Sequence, residues 1–113
     1  MNKFNAQRVK ADGYTFDSLA EHRRYCELKL LEKAGEIEKI IVHPSFPIVV
    51  RGKNICYVEL DFSYRIRNPK RPFHLKYEDV KGFDTAVSKL KRKLFHACYP
   101  ELELEILHIR PKH

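Results

Sequence analysis

The sequence predicts an α/β (α+β) domain: a mixed sheet flanked by two helices, in the core order α-β-β-β-α-β. Three observations carry that expectation. Helix-start signals stand at Asp17-Ser18 and near Asp84-Thr85. Stretches with the period-two alternation of strands fall between the two helices and again after the second. At 113 residues the chain is one domain, 1–113, long enough for a single core and too short for separate catalytic and recognition domains.

Residues 1–16 are polar and basic, with Tyr14 and Phe16 spaced by two after the turn-prone Asp12-Gly13. They read as a loose arm, flexible and basic over 1–12, that ends in a short strand. The first helix runs from Asp17-Ser18 to about Lys33. Ser18-Leu19-Ala20-Glu21 fits the capping box, and Gly35 offers the stop. Leu19, Cys26 and Leu30 share one side of it, widened by Ala20, Leu28 and Leu31, and this arc is expected to face the core.

Glu36 to His43 reads as a strand ending at Pro44. A second strand, about Ile48 to Arg51, turns at Gly52-Lys53-Asn54 into a long third strand, Ile55 to Ile66. There Val58, Leu60, Phe62 and Tyr64 alternate with Glu59, Asp61 and Ser63, which leaves Asp61 on the more polar face. The loop Arg67 to Pro72 leads to a strand from Phe73 to Lys81. The second helix spans about Asp84 or Thr85 to Ala97, with Val87, Leu90, Leu94 and Ala97 spaced for burial. Tyr99-Pro100 ends it, and Leu102, Leu104 and Ile106 alternate with Glu101, Glu103 and Glu105 as a half-buried last strand.

A formal net charge of +7 points to a polyanionic partner, nucleic acid ahead of membrane, because no strongly amphipathic basic helix lies at a terminus. The hydrophobic runs Ile40 to Val42 and Ile48 to Val50 are strand-sized, so the chain is expected to be soluble and cytoplasmic. Cys26, Cys56 and Cys98 lack any Cys-x-x-Cys pairing and read as buried thiols in a reducing compartment. Six histidines without a ligand spacing argue against a zinc site, and His43-Pro44 reads as a strand terminator with a surface histidine ahead of the alternative that it contributes to a site.

The chemistry is concentrated in Asp61 and the triplet Asp79-Val80-Lys81. Strand side chains alternate faces, so Asp79 and Lys81 point one way and Glu78 the other. A carboxylate can then hold a divalent cation while an ammonium on the same face meets a phosphate. Asp61 and Asp79 lie on strands joined by one loop, which should pair antiparallel and bring both acids to one sheet. Such hard oxygen ligands suit Mg2+ or Mn2+, with the Val80 carbonyl as a further ligand. Acid-x-Lys on a strand is most often only a cross-strand charge pattern. Glu21 fits two roles equally: capping its helix, or serving as a third acid. Lys89, Lys91, Arg92 and Lys93, together with Lys70 and Arg71 of the loop, are the expected phosphate contacts.

Through Gly13 to Tyr25, Glu27 to Ile37, Asp61-Phe62, Glu78 to Gly82 and Lys89 to Phe95, the chain resembles the PD-(D/E)XK nuclease superfamily. Within it the resemblance is to small phage-encoded endonucleases likened to Holliday junction resolvases. It covers residues 13–100 and implies a restriction-endonuclease-like core, with Glu21 as the helix acid, Asp61 and Asp79 as metal ligands and Lys81 as the catalytic lysine. It implies a Mg2+- or Mn2+-dependent endodeoxyribonuclease acting on branched DNA as a homodimer, in the host cytoplasm if phage-encoded. A less selective DNA nuclease or nickase, or a noncatalytic DNA-binding factor on a nuclease fold, is the alternative. Two positions depart from the pattern: Leu60 precedes Asp61 where Pro is frequent, and His43 stands where relatives often carry Gln before Pro.

Overall fold

A computed structural model describes residues 7–68, 70, 71 and 74–109. It contains two helices and mixed sheets, in the order β1 (Val9–Ala11), β2 (Tyr14–Phe16), α1 (Leu19–Lys33), β3 (Ile37–Val42), β4 (Ser45–Val50), β5 (Lys53–Glu59), β6 (Phe62–Ile66), β7 (Leu75–Lys81), α2 (Ala86–Cys98) and β8 (Leu104–His108). The main sheet has the order β3-β6-β7-β8. β3 and β7 both run antiparallel to β6, while β8 lies parallel to β7 after the α2 crossover. With the β1–β2 and β4–β5 hairpins set aside, the remaining order is α-β-β-β-α-β.

The expected loose arm is instead a hairpin in its described part. Val9 pairs with Phe16 and Ala11 with Tyr14 around Asp12-Gly13. Both turn residues have positive φ, 53° and 82°, the conformation a two-residue hairpin turn requires. Residues 1–6 of the arm, and Phe73 of the expected fourth strand, lie outside the described residues.

The long strand expected from Ile55 to Ile66 is broken at Leu60-Asp61. β5 turns away to pair with β4, and β6 joins the main sheet. The hairpin turn falls at Arg51-Gly52, with φ 51° and 81°, one residue earlier than expected. β3 carries a bulge: Glu38 pairs with Arg65 and Ile41 with Ser63, so one surplus residue lies between them. Lys39, with φ 57°, takes it up.

Two cores form, one on each face of the main sheet. Phe16, Tyr25, Leu28, Ile37, Phe62 and Tyr64 join α1 and the β1–β2 hairpin to one face. Ile48, Val58, Leu60, Tyr77 and Phe95 join α2 and the β4–β5 hairpin to the other. Phe46 anchors that hairpin, its ring edge-on to Tyr77, Phe95 and Tyr99 at 5.2–5.4 Å between centroids. Each fully buried aromatic or aliphatic side chain contributes roughly 1.5–3 kcal/mol.

Both helices bury a different stripe from the one expected. α1 turns Glu21, Tyr25 and Leu28 inward, spaced i, i+4 and i+7, while Leu19, Cys26 and Leu30 are exposed. α2 buries Phe95, with Leu94 and Cys98 beside it, while Val87, Leu90 and Ala97 are exposed. The cysteines expected to be buried are free thiols, with Cys26 exposed and Cys56 and Cys98 half-buried. No helix among the described residues is long and apolar enough to cross a membrane.

Candidate active site at one end of the sheet

The antiparallel pairing of β6 and β7 sets Phe62 opposite Glu78, so the next residue along, Asp61, falls beside Asp79. Main chain and side chain both fix Asp61 there. Its N–H donates to the Glu78 carbonyl at 3.1 Å, and its Oδ2 accepts from the Val80 N–H at 2.7 Å. Val80 thus reaches the site through its amide. The strand break at Leu60-Asp61 gives Asp61 access to both faces of the sheet, because Leu60 enters the core on the α2 side and Phe62 the core on the α1 side.

From the α1 side comes Glu21, only 6% exposed. Ser18 caps the helix by accepting from the Glu21 N–H at 3.1 Å. The Glu21 carboxylate turns instead to the site, 3.5 Å from His43 Nε2 and within 4.8 Å of an Asp61 carboxylate oxygen. The two roles open to Glu21 are therefore divided: its backbone serves the cap and its side chain the acid cluster. From the α2 side comes Asp79, 8% exposed, whose Oδ2 lies 2.9 Å from Lys81 Nζ. Asp79 and Lys81 do share one face, as their spacing predicts.

Burial, followed by the Asp79 and Glu21 charges, pushes the Asp61 carboxyl up to about 9. Burial also raises Glu21, against the lowering effect of its bond with His43. Donor atoms of Glu21, His43 and Asp61 all lie within 4.8 Å of one another. Ligands on opposite sides of a small divalent cation stand about 4.2 Å apart, so this donor set fits such an ion with only a small closure. Asp79 adjoins the group through Asp61, on the side that carries Lys81.

Beside Asp79 opens a cleft of about 280 Å³, whose lining includes Tyr57, Lys81, Ser88, Lys91 and Arg92. The α2 cations are thereby sorted. Lys91 and Arg92 face the cleft, whereas Lys89 and Lys93 are exposed and do not line it. Arg92 and Ser88 both bond Asp84, and these bonds, Arg92's first, hold the Asp84 carboxyl down to about 2. Lys70 and Arg71 stand apart from the site. They precede the start of β7 while Lys81 ends it, roughly 20 Å away at 3.3 Å per residue.

Of the two readings open to His43, a contribution to the site and a surface strand terminator, the first fits its place in the cluster at the end of β3, the strand that pairs with β6 just beyond Asp61. One feature escaped the sequence reading. Glu78 is wholly buried on the α1 side, held by Arg24 Nε at 2.8 Å and Nη2 at 2.7 Å and by the Tyr64 hydroxyl. Those bonds raise Arg24 above its usual range. A carboxylate that alternation turns toward the apolar face needs a cation, and Arg24 lies three residues past Glu21 on the facing helix.

The fold and site together describe a small mixed α/β protein with an acid cluster and a lysine at one end of its sheet. The chain belongs to the family described as "Protein of unknown function (DUF1064)", whose family model matches residues 1–113. No curated protein and no solved structure matches it.

Proposed function

We propose that this protein is a metal-dependent endodeoxyribonuclease that hydrolyses DNA phosphodiester bonds. The observation that carries this reading is the meeting of Glu21, Asp61 and Asp79 with Lys81 at the mouth of a cleft lined by Lys91 and Arg92. Carboxylates beside phosphate-binding cations would repel a purely bound polyanion, so their presence there favours catalysis over binding alone. Glu21 and Asp61 would hold the Mg2+ or Mn2+, with Asp79 beside them. A bound divalent cation supplies Lewis-acid polarisation of the phosphate and an activated water.

The residues of the chain do the rest. Lys81, steered by Asp79 at 2.9 Å, donates to a non-bridging phosphate oxygen and stabilises the charge that grows there. Lys91 and Arg92 neutralise flanking phosphates and fix the strand's path through the cleft. Asp84 holds the guanidinium of Arg92 in place. The resemblance to junction-resolving endonucleases supports branched DNA as the substrate and a homodimer as the working form, since symmetric cleavage of a four-way junction needs two active sites.

The test is cleavage of supercoiled plasmid, of a synthetic four-way junction and of a matched linear duplex, with Mg2+ and with Mn2+. Lys81→Ala is expected to lose about 10² to 10³ in rate while retaining metal binding by calorimetry. Wild-type protein that leaves every substrate uncut would remove the nuclease reading. Equal rates on junction and linear duplex would remove the preference for branched DNA.

A further inference from the structure

We infer that His43 is a nitrogen ligand of the divalent cation, completing a mixed set with Glu21 and Asp61, and that this nitrogen makes the site favour Mn2+ over Mg2+. The inference rests on the metal-dependent reading above and deepens it.

Four observations converge on His43. Its Nε2 lies 3.5 Å from Glu21 Oε1, inside the group of donors that fall within 4.8 Å of one another. Its backbone N–H donates to the Asp61 carbonyl at 2.9 Å, so its main chain is tied to the residue whose carboxylate it faces. Its φ of 59° is left-handed, which is uncommon for any residue but Gly and turns the chain sharply out of β3. The other ring nitrogen, Nδ1, faces Glu59 Oε1 at 3.9 Å. A histidine that binds metal through one nitrogen commonly presents the other to a carboxylate, which fixes the tautomer and strengthens the ligand. Glu59 at the end of β5 lies on that side of the ring and would need to close by about 1 Å to hydrogen-bond it.

The chemistry of the set then selects the ion. Mg2+ is a hard cation that takes oxygen and sheds water reluctantly. An imidazole nitrogen in place of one oxygen costs Mg2+ more than it costs Mn2+, which lies on the first-row affinity series and accepts nitrogen and carboxylate together.

Electron spin echo spectroscopy of Mn2+ bound at substoichiometric loading tests this directly, because a coordinated imidazole modulates the echo through its 14N nucleus. The wild-type spectrum is expected to show that coupling and His43→Asn to lack it. Asn is chosen because it accepts a left-handed φ. Calorimetry should show a drop of about tenfold or more in Mn2+ affinity for His43→Asn, with a smaller change for Mg2+. Bound Mn2+ without nitrogen coupling in the wild type would overturn the inference, as would coupling retained in His43→Asn. In either case, loss of Mn2+ binding in Asp61→Asn would leave the carboxylate site standing. Wild-type protein that binds neither ion would remove both readings, and the wild-type spectrum decides even if the variant fails to fold.

Discussion

Asp61 carries the sharpest conflict between stability and site chemistry. In an unfolded chain its carboxyl titrates near 3.8, while in the folded protein burial and the neighbouring acids push it up to about 9. Between those values the folded state holds a proton that the unfolded state has released, so this group's contribution to stability falls as pH rises from about 4 to about 9. Asp61→Asn keeps an oxygen for the Val80 N–H and removes the need to take up a proton on folding. It is expected to stabilise the metal-free protein at pH 8 by about 1 kcal/mol or more, a rise in Tm of about 4–8 °C, and to flatten the decline of Tm with pH. Thermal melts between pH 4 and 9 check this, and a lower Tm at pH 8 would mean that the fold itself needs the carboxylate. Glu78 behaves in the opposite way. Its position opposite Asp79 makes it the control substitution expected to leave metal binding largely intact, but it is wholly buried and paired with Arg24 and Tyr64, so that control also disturbs the fold. Arg24→Ala leaves that carboxylate without its cation and should cost about 3–5 kcal/mol in urea unfolding.

Both helices show how charged residues hide an element's inward face. α1 turns an acid, Glu21, toward the site and an arginine, Arg24, toward Glu78, so its leucines at 19 and 30 are left outside. A reading that seeks the leucine-rich side finds the outer surface. The helix itself was legible, because Ser18 and Gly35 punctuate it through local backbone chemistry that owes nothing to what the helix packs on. In α2 the run of Lys89, Lys91, Arg92 and Lys93 reads as one cationic segment, but helix geometry divides it, and only Lys91 and Arg92 line the cleft. Lys91→Ala is expected to lower the slope of log affinity for DNA against log salt by about 0.9, the value of one phosphate contact, while Lys93→Ala leaves it unchanged. Binding titrations across salt concentrations, without divalent cation, measure both. Equal slopes for the two variants would mean that α2 meets DNA by its whole surface and not by the cleft.

For the molecule as a whole, the α-β-β-β-α-β path was legible because each piece announces itself within a few residues. The β4–β5 excursion was not. Val58, Leu60, Phe62 and Tyr64 keep perfect alternation across the break, and period two cannot report that Leu60 and Phe62 enter cores on opposite faces of the sheet. That same break lets Asp61 reach Glu21 on one side and Asp79 on the other, so the feature hardest to read is the one that assembles the site. The approach of His43 was equally hidden, since it depends on how β3 registers with β6. There the bulge at Lys39 has a consequence for chain length. Ile37, Ile40 and Val42 pack inward and Ile41 is exposed, so if Lys39 is struck out the remaining residues alternate without interruption. The strand therefore holds one residue in reserve. Deletion of Lys39 is expected to leave Tm within about 5 °C and metal binding intact, because the inward residues keep their places and His43 stays opposite Asp61. Deletion of Ile40 forces Lys39 inward and should unfold the chain. A pair of single-codon deletions, compared by melting temperature, would show that this family can drift in length at one point of β3 while its neighbours cannot.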